Sequence, residues 1–388
     1  MTLVLAGTIF AGGALRAGAV GIGRDGRLAR SPAGGPGCAL PDGWIVAPGF
    51  VDLQVNGFGG AEIGEDPAAN AAVARALTRC GVTAFCPTLV TREPAAYRRA
   101  ARALARTAWP AEGARALGAH LEGPFLNPAR AGAHQAEAMR MPTAAAVDEL
   151  LELMAPAIVT LAPELEGGLA AVERVAGAGA VAAVGHTEAD ATTGRRAIAA
   201  GARLLTHAFN AMAGIDARDP SAVVAFLADR AAYVSLIGDG VHVDPAVAAL
   251  IARLAPGRLV LVSDASAPAG APAGEYRLGP RTVHHDGRTV RTSDGRLAGS
   301  GSCIDAGVRT LASAGVEREA ALDAAIGAPR RLLGLPPGLA HGSAADLVVL
   351  DEDLHPRFTL VGGVPAHVDP VAARVLGPHA LNHLRVEG

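Results

Sequence analysis

From Ala47 onward the sequence repeats one theme eight times: a short apolar run, then a longer stretch rich in Ala and Arg. The runs lie near Val51–Asn56, Thr83–Leu89, Ala116–Phe125, Ile158–Glu164, Val181–Thr187, Leu204–Asn210, Tyr233–Asp239 and Leu259–Ala265. Helical periodicity between them is clearest at Ala69–Cys80 and Pro94–Thr107, followed by Thr143–Met154, Ala189–Ala200 and Pro245–Leu254. Such alternation predicts an α/β fold with a parallel sheet wrapped by helices. Eight units match a (β/α)8 TIM barrel, for which about 250 residues is typical. A doubly wound open sheet is the alternative. It would more often carry a glycine-rich phosphate turn after its first strand, and VDLQVNGFGG there does not match GxGxxG.

The flanks read differently. Residues 1–47 alternate apolar residues with Gly, Pro and polar turns, as short strands do, and strand and turn patterning returns from His341. The two ends are expected to form one small β-sandwich, with 1–47 as its first part and 336–388 as its second. The barrel then occupies 48–335. Within it, Gly274–Gly299 holds DG twice between β-prone runs, which predicts a hairpin insertion in the last βα loop, near the active face. Residues 304–333 read as helices.

Half of the chain is apolar and 18% is charged, so a large buried core is expected and general disorder is not. A formal charge of −3 argues against a nucleic-acid partner. No apolar stretch is long and unbroken enough for a membrane span, and the first residues lack the basic start of a signal peptide. Cys38, Cys80, Cys86 and Cys303 show no CxxC spacing and read as reduced thiols of a cytoplasmic protein. All 34 basic residues are Arg. Without Lys there is no Schiff-base chemistry, no Walker-type P-loop and no metal centre bridged by a carboxylated lysine.

Four residues near the downstream ends of the expected strands carry chemistry: Glu122, His186, His207 and Asp264. In a parallel barrel those ends share one rim, so distant positions meet. Two imidazoles and one carboxylate make a mononuclear metal site with room for water. Asp264 is then free to act as general base, taking a proton from the activated water and passing it to a leaving amine. Taken singly, each has a plainer role: a hydrogen-bonded structural His, an ion-paired Glu, a turn-capping Asp. Their joint placement favours the metal.

The segments APGFVDLQVNG (47–57), HLEGPFLN (120–127), GHT (185–187), THAFNAM (206–212), GDGVHVD (238–244), VSDA (262–265) and LAGS (297–300) resemble the N-acetylglucosamine-6-phosphate deacetylase family of the amidohydrolase superfamily. The resemblance spans residues 1 to 385. It implies one divalent metal per subunit, Zn²⁺ first, with Fe²⁺, Co²⁺ or Mn²⁺ as alternatives, held by Glu122, His186 and His207. It implies removal of acetate from N-acetyl-D-glucosamine 6-phosphate. Asn210, the Ala211 backbone and Arg218 are expected to hold the phosphate, and His134 to donate to the oxyanion or a sugar hydroxyl. His242 matches a residue lent across a dimer interface, which implies a homodimer with shared sites. Where most of the superfamily is similar to PGFxDxHxH, this chain has Gln54 and Asn56, which disfavours a second metal without excluding it. His284, His285, His341, His355, His367, His379 and His383 read as surface or structural. Another N-acyl amino sugar such as the galactosamine epimer, or a catalytically silent scaffold, stays open.

Overall fold

The computed structural model describes residues 3–29, 37–279 and 281–384. The parts of the expected terminal segments at 1–2, 30–36 and 385–388 lie outside the described residues, as do Pro280 and the side chains of His379 and His383. Eight parallel strands follow one another around a central sheet. They are β1 (Phe50–Val55), β2 (Val82–Val90), β3 (His120–Glu122), β4 (Ile158–Leu161), β5 (Val181–Val184), β6 (Leu204–Leu205), β7 (Tyr233–Ile237) and β8 (Leu259–Val262). Val55 bridges Ala265 in parallel, and the Asn56 N–H donates to the Ala265 carbonyl at 2.8 Å, so β1 meets the end of β8. The sheet is therefore a nearly closed (β/α)8 barrel.

Period-two alternation sorts the side chains. Val51, Ala84, Ile158, Ala183, Leu204 and Val260 form one buried apolar cluster, the filling of the barrel. Their neighbours Val159, Ala182, Val184, Leu205 and Leu261 join the larger cluster built with the helices. Above the apolar filling the interior turns polar. His120 Nε2 lies 2.8 Å from Thr160 Oγ1, which lies 2.8 Å from Thr206 Oγ1, while His120 Nδ1 is 2.8 Å from the Leu53 carbonyl. Burial pushes His120 down to about 4, so this layer is hydrogen-bonded and uncharged at neutral pH.

The helices are α1 (Pro67–Leu77), α2 (Pro94–Arg106), α3 (Ala144–Met154), α4 (Gly168–Gly177), α5 (Ala191–Ala199), α6 (Ala222–Ala228), α7 (Pro245–Leu254) and α8 (Ile304–Ser313), followed by α9 (Arg318–Ala325), α10 (Gly327–Leu332) and the C-terminal α11 (Pro370–Leu384). Local chemistry starts several of them. Asp66 and Asp244 accept from the second helical N–H, each just before a Pro, and Thr143, Asp190 and Ser221 cap α3, α5 and α6.

The strand expectations need correction: every run from the third on extends past its strand, the fourth, fifth, seventh and eighth by two or three residues. The third run breaks into Arg115–Ala116 and β3, and the sixth ends at Leu205 rather than Asn210, so His207 lies beyond β6 and not within it. The apolar run continues, but the backbone leaves the ladder to aim side chains across the rim.

Both chain ends share one hydrogen-bonded sheet. Its order is Val364–Val368, Pro356–Val361, Leu347–Leu350, Ile45–Pro48, Leu3–Ala11, Ala14–Ile22 and Leu28–Ala29, with Gly37–Ala39 also on Leu3–Ala11. Leu3, Leu5, Val46, Leu347, Val349, Phe358 and Leu360 pack with Ala372 and Leu376 of the C-terminal helix. The alternate residues Ile45, Ala47, Val348 and Leu350 belong to the main core instead. One face of this β domain thus lies on the barrel. The insertion is a four-stranded meander of Gly274–Leu278, Arg281–His285, Thr289–Thr292 and Leu297–Ser300.

Candidate metal centre

Glu122 closes β3, while His186, His207 and Asp264 each stand two residues past β5, β6 and β8. The last three have φ values of 49°, 29° and 48°. That left-handed region is costly for a residue with a Cβ, and it persists only where neighbours impose it. Here the His207 N–H donates to Ser235 Oγ at 2.8 Å, the Asn127 N–H to the His186 carbonyl at 3.0 Å, and the Ser300 N–H to the Asp264 carbonyl at 2.8 Å.

The side chains converge. His207 Nε2 lies 2.8 Å from Glu122 Oε1, His186 Nε2 lies 3.1 Å from the same oxygen, and the two ring nitrogens are 3.2 Å apart. His186 Nδ1 sits 2.9 Å from the Arg130 carbonyl, which can only accept, so its proton is there and Nε2 presents a lone pair. His207 Nδ1 is buried with no partner. Lone-pair donors from three strands thus crowd one point, all buried. A divalent cation fits that point, and the donors suit Zn²⁺ or its first-row neighbours. Burial opposes ionisation of Glu122, but its neighbours, His134 first among them, hold it well below the usual carboxylate range.

Asp264 faces the same point. Its Oδ1 accepts from Asn56 Nδ2 at 2.7 Å and Gln54 Nε2 at 3.1 Å, and Gln54 Nε2 also reaches Glu122 Oε1 at 3.0 Å. Burial and the Glu122 charge push Asp264 up to about 8, and a cation between the ligands opposes both. Gln54 and Asn56 thus hold carboxylates through their N–H groups. The sequence marked them only as missing ligands; nothing in it showed what they would grip.

His134 Nδ1 accepts from the Thr91 N–H at 3.2 Å, so the hydrogen lies on Nε2, which is 3.5 Å from Glu122 Oε2. A donor therefore projects beside the ligands. His134, Asn210, Ala211 and His242 line the same cavity as the four central residues, and Leu278, Arg281 and Leu297 of the meander cover it. Arg281 was not singled out in the sequence; its Nη2 donates to the His134 carbonyl at 3.3 Å. His242 reaches the cavity of its own chain, with Nδ1 2.8 Å from Asp239 Oδ2. Arg218 does not line it. That residue is exposed, in a turn where its N–H donates to Asp216. Of the other histidines, His285 is buried near the Pro272 carbonyl, and His284 and His355 sit beside Glu275 and Asp351.

The amidohydrolase family pattern matches residues 45–371. The chain is 38% identical over 339 residues to the human (Homo sapiens) N-acetylglucosamine-6-phosphate deacetylase, covering 83% of each. It is 36% identical over 330 residues to an N-acetylgalactosamine-6-phosphate deacetylase of Escherichia coli O157:H7, covering 83% of this chain and 88% of that one. Among solved structures it is similar to a Mycobacterium smegmatis N-acetyl-D-glucosamine-6-phosphate deacetylase mutant in complex with N-acetyl-D-glucosamine-6-phosphate. The TM-score is 0.87 at 36% identity, over 95% of this chain and 100% of that one. With this coverage, and with the barrel and its buried Glu–His–His cluster in place, the chain belongs to the amidohydrolase family.

Proposed function

We propose that the chain hydrolyses the acetamide of N-acetyl-D-glucosamine 6-phosphate, releasing acetate and glucosamine 6-phosphate. The observation that carries the reading is the convergence of Glu122, His186 and His207 opposite Asp264. Relatives of that name support the substrate. One divalent ion per subunit, Zn²⁺ before Fe²⁺, Co²⁺ or Mn²⁺, would be held by those three residues and would supply Lewis-acid polarisation of the amide carbonyl and acidification of a water. Asp264 takes a proton from the attacking water and gives it to the amine nitrogen as the C–N bond breaks. Gln54 and Asn56 fix the carboxylate in line. The His134 Nε2–H stabilises the oxygen that gains charge, or grips a sugar hydroxyl.

His242, Asn210 and the Ala211 backbone serve the phosphate end of the cavity. Arg218 completes that set from a neighbouring subunit, because its own turn faces solvent. The working unit is then a cytoplasmic homodimer with shared sites. The galactosamine epimer is the second reading, favoured by the Escherichia coli relative.

Acetate release measured on both N-acetylhexosamine 6-phosphates and both free sugars, with metal content determined on the same sample, tests the reading. Turnover confined to a 6-phosphate by metal-loaded protein is expected. Equal turnover of the free sugar rejects the phosphate role, and metal-loaded protein inert on all four rejects the activity.

A further inference from the structure

Cys80 and Cys303 come from opposite ends of the barrel sequence, yet the fold sets them together with Asp305. Cys80 ends the single 3-10 turn Thr78–Cys80 between α1 and β2. Cys303 immediately precedes α8, and Asp305 lies in its first turn. The two sulfurs and a carboxylate oxygen of Asp305 all lie within 4.8 Å of one another. None of the three lines the Glu122 cavity. Cys303 is buried and Cys80 and Asp305 are partly so, which makes the group largely enclosed.

Two thiols facing each other are weak donors and weak acceptors, and they satisfy each other poorly. Burial pushes the Cys303 thiol well above its ordinary range. Beside them stands one compensating charge: Arg309 Nη1 is 2.6 Å from Asp305 Oδ2. That contact fixes the carboxylate beside the sulfurs. A soft divalent ion resolves the arrangement. Tetrahedral ligands at about 2.3 Å for sulfur and about 2.0–2.2 Å for oxygen stand roughly 3.5–4 Å from one another, inside the observed limit. Two thiolates and one carboxylate carry three negative charges, which the ion and Arg309 cancel. Arg309 is then the outer partner that orients a ligating carboxylate.

We propose that Cys80, Cys303 and Asp305 form a second metal site, separate from the catalytic one, for a thiophilic divalent cation of the zinc class. The ion exchanges for two thiol protons, which leave to solvent; no electron moves. Water completes the fourth position. Bound there, the ion fastens the end of the first βα unit to the start of the helix that follows the eighth, across the seam of the barrel.

Cobalt(II) titration of the reduced holoenzyme, already loaded at its catalytic site, tests this. Thiolate-coordinated Co²⁺ absorbs in the near ultraviolet through sulfur-to-metal charge transfer. Wild-type protein is expected to take up one further Co²⁺ per chain with that band. Cys80→Ser and Cys303→Ala should each weaken the uptake at least tenfold while elemental analysis shows the first metal retained. If Cys303→Ala fails to fold, the more conservative Cys80→Ser, at the less buried residue, still decides the matter. No charge-transfer band in wild type, or an undiminished band in Cys80→Ser, overturns the site. So does protein purified without reductant in which thiol titration finds the pair joined as a disulfide.

Discussion

Asp264 is held by two amide N–H groups and faces the ligand oxygen of Glu122 without sharing in the lone-pair crowd. Replacing it should therefore separate chemistry from metal binding. Asp264→Asn is expected to keep its metal and lose about 10²–10⁴ in kcat, the usual share of a positioned general base. Near-normal turnover in the metal-loaded variant would remove Asp264 from that role. At this scale the sequence was legible where a residue type itself names a chemistry. Glu122, His186 and His207 were readable because imidazole and carboxylate at strand ends have few joint uses. Gln54 and Asn56 were not, since an amide can donate or accept and only geometry says which. The direction of Arg218 was equally hidden: its spacing from Asn210 put it on a loop near the cavity, but a loop residue can face in or out, and this one faces out. Cys80 and Cys303 show the limit most plainly, because no spacing rule joins residues so far apart.

At the level of elements, the strand ends act as mounts. Gly185 separates β5 from His186, and a Cβ built on it would lie 2.8 Å from Thr160 Cγ2 and 2.9 Å from Thr206 Cβ. Both obstacles are stiff β-branched residues, one on β4 and one just past β6. Gly185→Ala should thus shift the end of β5, costing about 1–3 kcal/mol of stability and lowering metal content with it. Urea midpoints together with elemental analysis check both; a loss of stability with full metal occupancy would detach the mount from the ligand.

The end of β7 offers an acid test. Burial works against ionisation of Asp239, yet His242 Nδ1 and the N–H groups of His242 and Val241 bring it down to about 2 from 3.8. A carboxylate depressed in the folded state contributes stability above its unfolded value and loses it as pH falls through the folded one. The window is therefore pH 4 to 2, and the loss is about 2 kcal/mol. Asp239→Asn should show a shallower fall of the urea midpoint across that window than wild type, and parallel curves would refute the assignment. Elements themselves were readable where period and caps agreed, as in α1, α3 and α7. Two were not. Gly168–Gly177 begins and ends in glycine, and Ala222–Ala228 is a short apolar run that reads equally as strand. From β3 onward the strands read too long, most of all at β3 and β6, because apolar composition does not record where a backbone leaves its ladder.

For the molecule as a whole, the alternation of eight runs with helices was enough to place all the rim residues together. What it did not contain was the number of subunits. If Arg218 grips the phosphate, Arg218→Ala removes a charge-assisted fork contributing roughly 1.5–3 kcal/mol, and kcat/KM for the phosphorylated sugar should fall about ten- to a hundredfold or more. If a neighbour supplies Arg218 while His242 acts within its own chain, mixing Arg218→Ala with His242→Ala protein restores one intact site in each mixed dimer. Kinetics after subunit exchange read this directly, and absence of rescue rejects shared sites. The joining of the two chain ends has another consequence, one of timing. Ile45–Pro48 has Leu3–Ala11 on one edge and Leu347–Leu350 on the other. During synthesis the first edge is filled early, while the second waits until all eight βα units have emerged. Throughout that interval an apolar strand offers unpaired N–H and C=O groups to any other nascent chain. A chain truncated after residue 346 never closes that edge, and it should partition into aggregates on expression, whereas Val46→Pro in the same truncated chain, by blunting the edge, should return part of it to the supernatant.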